Sequence, residues 1–326
     1  MDRSRTSNPH QQSLAGVLNA VSAFLIWGLC PIYYKFLTAV PTFEILMHRM
    51  VWSFLFLLPL ILFQGRWNEF KQTLKNGRTL MILLATTLIV SGNWFVFIWA
   101  INHNQILQTS LGYYINPLIN ILFGVVFLKE RLRFAQIVAV FLAGMGVLFL
   151  TAHYGKLPWI SLTLAITFGL YGLIRKVAPV SALIGLTVET FFMSIPAIFY
   201  LVHLYTIGAG AFLRINIQIN LILICAALVT ALPLLLFTTG VRLLHFSTVG
   251  VLQYIAPSAT FLLAVFVYKE PFTMVQVWAF GLIWTALCIY STESVIFYRR
   301  NSSAHAVAGE NFESERPNVI GDKTGF

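Results

Sequence analysis

Glu44-Ile45-Leu46-Met47-His48-Arg49-Met50-Val51-Trp52 lies at the start of a stretch, Phe43 to Phe63, that is otherwise almost wholly apolar. A helix of roughly 20 such residues crosses a hydrocarbon core of about 30 Å at 1.5 Å per residue. An ionisable side chain at that depth is costly unless it faces protein or water, so Arg49 and His48 are read as functional-site candidates. Arg49 needs a partner. The other charged residue well inside a long apolar run is Glu189, in Leu183 to Tyr205.

The rest of the chain has the same texture. Its 326 residues are 58% hydrophobic and 10% charged, with a mean hydropathy of +0.81, far from the soluble average. Runs long enough to span occur at about 14–34, 43–63, 79–100, 106–128, 134–152, 157–174, 183–205, 219–241, 247–268 and 273–297. The expected fold is therefore all-α and integral to the membrane, with ten transmembrane helices and a lipid bilayer as the first partner. The first run is as long as a full span and lacks a small-residue cleavage pattern, so it is read as a retained helix. Cys30, Cys225 and Cys288 stand singly in apolar runs, which suggests packing and neither disulfides nor a metal site.

The net charge of +10 would ordinarily raise the question of nucleic acid, but the basic residues are confined to short gaps between apolar runs. Arg3, Arg5, Arg66, Lys71, Lys75, Arg78, Lys129, Arg131, Arg133, Arg175, Lys176, Arg242, Arg299 and Arg300 fall on one side, and only Lys35, Lys156, Arg214 and Lys269 on the other. With ten spans, the positive-inside rule then puts both termini in the cytoplasm. No nucleic-acid partner is expected. The polar stretch 299–326 reads as a disordered cytoplasmic tail.

Shifting the sequence by 140 positions brings Arg49 onto Glu189, Tyr114 onto Tyr254, Pro117 onto Pro257 and Lys129-Glu130 onto Lys269-Glu270. Residues 14–152 and 157–298 thus form two units of five helices, after a short segment at 1–13. Five is odd, so the second unit enters the membrane from the opposite side. Inverted repeats of this kind are typical of secondary transporters, whose substrate site lies between the halves near the midplane. Arg49 and Glu189 occupy equivalent positions near the pseudo-two-fold axis, where a direct ion pair could form.

Phe24-Leu25-Ile26-Trp27-Gly28, Glu44-Ile45-Leu46-Met47-His48-Arg49, Gly92-Asn93-Trp94, Ser110-Leu111-Gly112-Tyr113-Tyr114-Ile115-Asn116-Pro117 and Phe127-Leu128-Lys129-Glu130-Arg131 resemble the RarD branch of the EamA-domain transporters, in the drug/metabolite transporter superfamily. The resemblance covers about residues 14 to 298. It implies a bacterial inner-membrane permease with two EamA repeats, exporting a small organic molecule; the branch is named for an association with chloramphenicol sensitivity.

The candidate site residues each have a plainer reading. Arg49 and Glu189 bind a substrate charge or a proton, or neutralise each other. His48 titrates near neutral pH and suits a proton relay, or it pairs with Glu44 one turn earlier. Asn93, Asn116, Asn120 and Gln253 line a polar cavity or hydrogen-bond across helices. Trp94, Tyr113, Tyr114 and Tyr254 are candidate substrate contacts, and Pro117 and Pro257 candidate hinges, because proline frees a carbonyl one turn earlier. Trp27 and Trp99 could stack on a ring or a cation, whereas Trp67 and Trp159 suit the membrane interface. Lys129-Glu130 and Lys269-Glu270 read as helix-end topology signals. There is no GxSxG, HExxH or GxxxxGK[ST] pattern, so neither an enzyme nor a cofactor is expected. A membrane receptor or scaffold is the alternative, but it has no need of a polar midplane.

Overall fold

The computed structural model describes residues 9–103, 106–155, 159–269 and 273–314. Its helices are α1 (Pro9–Lys35), α2 (Thr42–Phe63), α3 (Trp67–Lys75), α4 (Gly77–Asn102), α5 (Ile106–Leu128), α6 (Phe134–Tyr154), α7 (Trp159–Val177), α8 (Ala182–Thr206), α9 (Ile217–Ile224), α10 (Ala226–Leu243), α11 (Phe246–Leu252), α12 (Ile255–Leu262) and α13 (Met274–Ser314). These supply ten spans, two of them broken, since α9 and α10 meet at Cys225 and α11 and α12 at Gln253-Tyr254. The fold is all-α and transmembrane.

The second break has a local cause. Pro257 has no N–H to offer the carbonyl of Gln253, and that carbonyl instead accepts from Ala256 N at 3.2 Å, which tightens the turn. Pro117, by contrast, sits inside an unbroken α5. Farther along, Leu263–Val267 winds as a π-helix.

Two features were not expected. α3 lies in what reads as a basic loop; it is short and amphipathic, burying Phe70 and Thr73, and Arg66 before it grips Glu69 through two 2.8 Å hydrogen bonds. α13 remains helical to Ser314, into the stretch read as a disordered tail, while residues 315–326 lie outside the described residues.

The helices pack across the chain more than along it. α1 lies against α10 and α12, α2 against α8 and α10, α5 against α7 and α11, and α6 against α13. Small residues allow the closest approaches: a Cβ on Gly28 of α1 would stand 2.7 Å from that of Ala259, and one on Gly169 of α7 would stand 2.9 Å from Asn120 Oδ1. The main core, with Phe24, Leu57, Ile61, Leu83, Ile184, Phe237 and Phe246 almost inaccessible, lies between α1, α2, α4, α8, α10 and α11.

Contacts sort the connections onto two faces. On one face Arg66 donates to Ser181 at 2.8 Å, Arg133 meets Glu293 at 3.2 Å, and the ends of α7 and α10 exchange cations. Lys176 Nζ donates to the carbonyls of Val241 and Leu244, while Arg242 donates to those of Ala178 and Val180 at 2.8 and 2.5 Å. Each cation satisfies carbonyls left open at the other helix's C-terminus. On the opposite face Lys35 Nζ lies 3.1 Å over the ring of Tyr268, Trp99 lies 5.7 Å from Trp159, and Glu44 reaches the loop after α8.

Candidate functional site

Arg49 lies in the first half of α2 and does not pair with Glu189. Its Nε donates to Thr230 Oγ1 on α10 at 2.8 Å, and its guanidinium carbon lies 5.9 Å from the ring of Tyr34 and 5.7 Å from that of Trp94, within cation–π reach. Among the described residues no carboxylate is within ion-pair distance of it. Tyr113, exposed, packs edge-on against Phe97 of α4 at 6.3 Å, and Arg49 and Trp94 are half-buried. A half-buried cation with no carboxylate partner among the described residues, and with two aromatic rings in cation–π reach, is what the second apolar run sets against α1, α4 and α10.

Glu189 is claimed elsewhere. Arg175 Nε lies 3.6 Å from its Oε1, Thr86 on α4 donates to Oε1 at 2.6 Å, and Tyr171 donates to Oε2 at 3.1 Å. Arg175 and Glu189 are essentially inaccessible, and Arg175 Nη2 also donates to the carbonyl of Ala182 at 3.1 Å. The arginine side chain runs along one stripe of α8, Ala182, Gly185 and Glu189, and a Cβ on Gly185 would stand 2.0 Å from its Nη1. The direct Arg49–Glu189 pair that the repeat left open is not formed; Glu189 pairs with Arg175. Sequence reading took Arg175 for a topology charge because it ends an apolar run beside Lys176. A usable signal was there, since only four residues separate α7 from α8, which makes them antiparallel neighbours, and a glycine stands one turn before the glutamate.

The amides act as ties around α7. Asn93 Nδ2 donates to the carbonyl of Leu164 at 2.9 Å and to Thr167 Oγ1 at 2.8 Å, and Asn116 Nδ2 donates to the carbonyl of Ala165 at 2.7 Å. Asn120 donates to Gln253 Oε1 at 2.5 Å, joining α5 to the break between α11 and α12. All four are buried, so they join helices and do not line an opening. Tyr114 packs edge-on against Phe280 at 5.4 Å, and Tyr254 is buried beside it in the same cluster. Trp27 is core, packed on Phe24, Phe168 and Phe237. Of the named candidates, the structure gathers Arg49 and Trp94, and adds Tyr34 and Thr230, which sequence reading missed.

His48 is bound into a different group, toward the face of Lys35 and Tyr268. Trp52 Nε1 donates to its Nδ1 at 3.3 Å, so the neutral ring carries its proton on Nε2, which faces Glu44 Oε1 at 3.8 Å. That oxygen accepts from the amides of Ala211 and Phe212 at 2.8 and 3.2 Å.

Glu130, on the opposite face and outside the spans, is no surface signal either; it accepts from the amides of Phe246 and Ser247 at 2.5 and 2.9 Å, and His245 stands 3.7 Å away. Glu270, its repeat partner, lies outside the described residues. Burial pushes the Glu130 carboxyl up, but His245 and the two amides outweigh it and hold it near 2, while the Glu130 interaction raises His245 from its ordinary 6.5. The carboxylate's contribution to stability is complete above its ordinary 4.5 and is lost as pH falls toward 2; that of the histidine is complete below 6.5 and is lost as pH rises through its raised value. Melting curves against pH should therefore plateau between about 4.5 and 6.5, and His245→Gln should remove the alkaline shoulder, of at most about 1 kcal/mol because the ring is largely exposed, and narrow the acid one, since the two amides alone then hold Glu130 down.

Comparison with known proteins adds to this geometry. The profile of the EamA-like transporter family matches residues 14–152. An "Uncharacterized transporter" of Vibrio cholerae serotype O1 is 47% identical over 285 residues, covering 87% of this chain and 94% of its own length. "Protein RarD" of Salmonella typhi is 41% identical over 290 residues, covering 89% and 99%. A solved crystal structure superposes with a TM-score of 0.67 at 17% identity over 87% of this chain and 98% of its own, which is a likeness of fold.

Proposed function

The chain belongs to the EamA-like transporter family, in its RarD branch, as a multi-pass inner-membrane transporter, and from that premise we propose that it exports a small organic molecule by alternating access between two inverted five-helix repeats. Three pairs of positions related by the 140-residue offset support the repeat. Lys129 and Lys269 both adopt left-handed backbone, with φ of 55° and 53°. Gln136 Oε1 caps the N–H of Arg133 at 2.9 Å as Gln276 Oε1 caps that of Thr273 at 2.8 Å. Pro117 and Pro257 fall in the spans just before those turns. The face carrying Arg66, Lys176 and Arg242 is assigned to the cytoplasm by its excess of positive charge, which leaves Glu44 and His48 on the far side.

The observation that carries the reading is the guanidinium of Arg49, without a carboxylate partner among the described residues, beside Tyr34 and Trp94. A cation whose one hydrogen bond among the described residues goes to Thr230 favours a substrate with an anionic or strongly accepting group next to a flat ring. Protons are the proposed coupling ion, with His48 and its neighbour Glu44, which line a small cavity on that side, as the groups that would take them. In proteoliposomes, uptake of a panel of aromatic acids and amphipathic drugs, chloramphenicol among them, should accelerate when a pH gradient is imposed. Transport that ignores the gradient would remove proton coupling, and no transport of any acceptor-bearing ring compound would remove the substrate class.

A further inference from the structure

Glu44 is 1% exposed, yet only one of its oxygens is used. Oε1 takes both amide hydrogen bonds from the loop after α8, while Oε2 has no hydrogen-bond partner among the described residues, and neither has His48 Nε2. Both side chains line a cavity of about 40 Å³ completed by Leu201, Tyr205, Gly210 and Phe212, room for one or two waters. A buried carboxylate oxygen without a donor is costly unless something binds there.

We propose that Glu44 Oε2 is the carrier's proton-binding site, and that the proton it takes from the cavity loosens the hold of α2 on the Ala211–Phe212 loop. This rests on the proton-coupled reading above and names its site. The chemistry balances simply: a hydronium in the cavity gives its proton to Oε2, water is released, and the carboxylate becomes a neutral acid. His48 is the poorer acceptor, because Nε2 already carries a hydrogen and Nδ1 is occupied by the Trp52 N–H. Its ring is held in place against Phe212 at 4.8 Å, so it positions the site. Once Oε1 belongs to a neutral acid, the two amide bonds lose their charge assistance and weaken.

The surroundings bear on when this happens. α2 itself adds Arg49; α8 adds Tyr200, the exposed His203, and Tyr205 at the cavity wall; the loop after α8 adds Arg214, bound to the carbonyls of Tyr205 and Gly208 at 2.9 Å. α9 and α10 present the neutral Asn220 and Thr230, with Cys225 between them, and the charged residues around α3 belong to the opposite face. On that opposite face a matching clamp, Glu130 on the amides of Phe246 and Ser247, provides an internal reference. Its carboxyl is held near 2, so that clamp stays closed through the range in which cells operate.

Amide hydrogen exchange of the full chain in nanodiscs tests this, corrected for intrinsic rates, between about pH 4 and 8. Exchange at Ala211 and Phe212 should rise about tenfold or more toward acid, while Phe246 and Ser247 stay flat. In Glu44→Gln the two amides should exchange at the acid rate at every pH. A flat wild-type profile overturns the proposal without needing any variant to fold, and so does a Glu44→Gln profile that keeps the wild-type pH dependence. If the amides respond as expected but transport ignores a pH gradient, the proton site stands and proton coupling falls.

Discussion

Replacing Arg175 by glutamine is expected to cost about 3 to 5 kcal/mol, enough to unfold much of the protein in a detergent melt. The reason is Glu189, which would remain fully buried with its charge and only Thr86 and Tyr171 as donors. Glu189→Gln should be comparably damaging, since it strands the Arg175 guanidinium, whose Nε and Nη1 already lack hydrogen-bond partners among the described residues. The double variant Arg175→Met with Glu189→Met should recover most of the loss, because an apolar pair of similar volume replaces a buried ion pair at little or no cost. Gly185→Ala provides an independent check. Its methyl would occupy the guanidinium's position, so a melt as low as that of Arg175→Gln is expected. Recovery on exchanging Arg49 and Glu189, with no recovery in the Arg175 double variant, would refute the pairing described here.

Arg49→Gln should behave in the opposite manner. No carboxylate depends on Arg49 among the described residues, and it is half-buried, so its loss removes one hydrogen bond to Thr230 and two ring contacts. The melt should shift by the equivalent of about 1 kcal/mol. Binding of an anionic ring compound should fall by about 30-fold or more, the loss expected when a buried charge–charge contact worth about 2 kcal/mol or more disappears. Arg49→Lys should not restore it, because an ammonium supplies neither the Nε donor to Thr230 nor a planar face toward Tyr34 and Trp94. Isothermal titration of the three proteins with one ligand decides the matter. Unchanged affinity in Arg49→Gln would move the site away from the guanidinium.

These contrasting expectations mark where sequence reading works. The ten spans were legible because each is a long, predominantly apolar run, and the bilayer permits few other structures for such runs. Arg49 was legible as a candidate because nothing near it in the chain explains its charge. Its relation to Glu189 was not. Burial of a charge depends on how a helix is rotated about its axis, and neither span 2 nor span 7 carries enough polar residues to reveal that rotation. Asn93 and Asn116 illustrate the same limit, since an amide that ties two helices and an amide that lines a cavity look alike until the acceptors, here the carbonyls of Leu164 and Ala165, are in view. α3 escaped because nine residues are too few for the span criterion. Glu130 escaped because a carboxylate just past a helix end is usually solvated.

The pairing of α1 with α10 and α12, and of α2 with α8, has a consequence for biogenesis. A nascent chain inserts its helices in order, so α1 and α2 enter the bilayer long before their packing partners have been synthesised. Until α7 emerges, Asn93 and Asn116 have no carbonyls to bind and must sit in lipid or borrow temporary partners. A chain truncated after α6 should therefore be less stable in the membrane than the full chain, and pulse-chase of the truncated form should show faster loss.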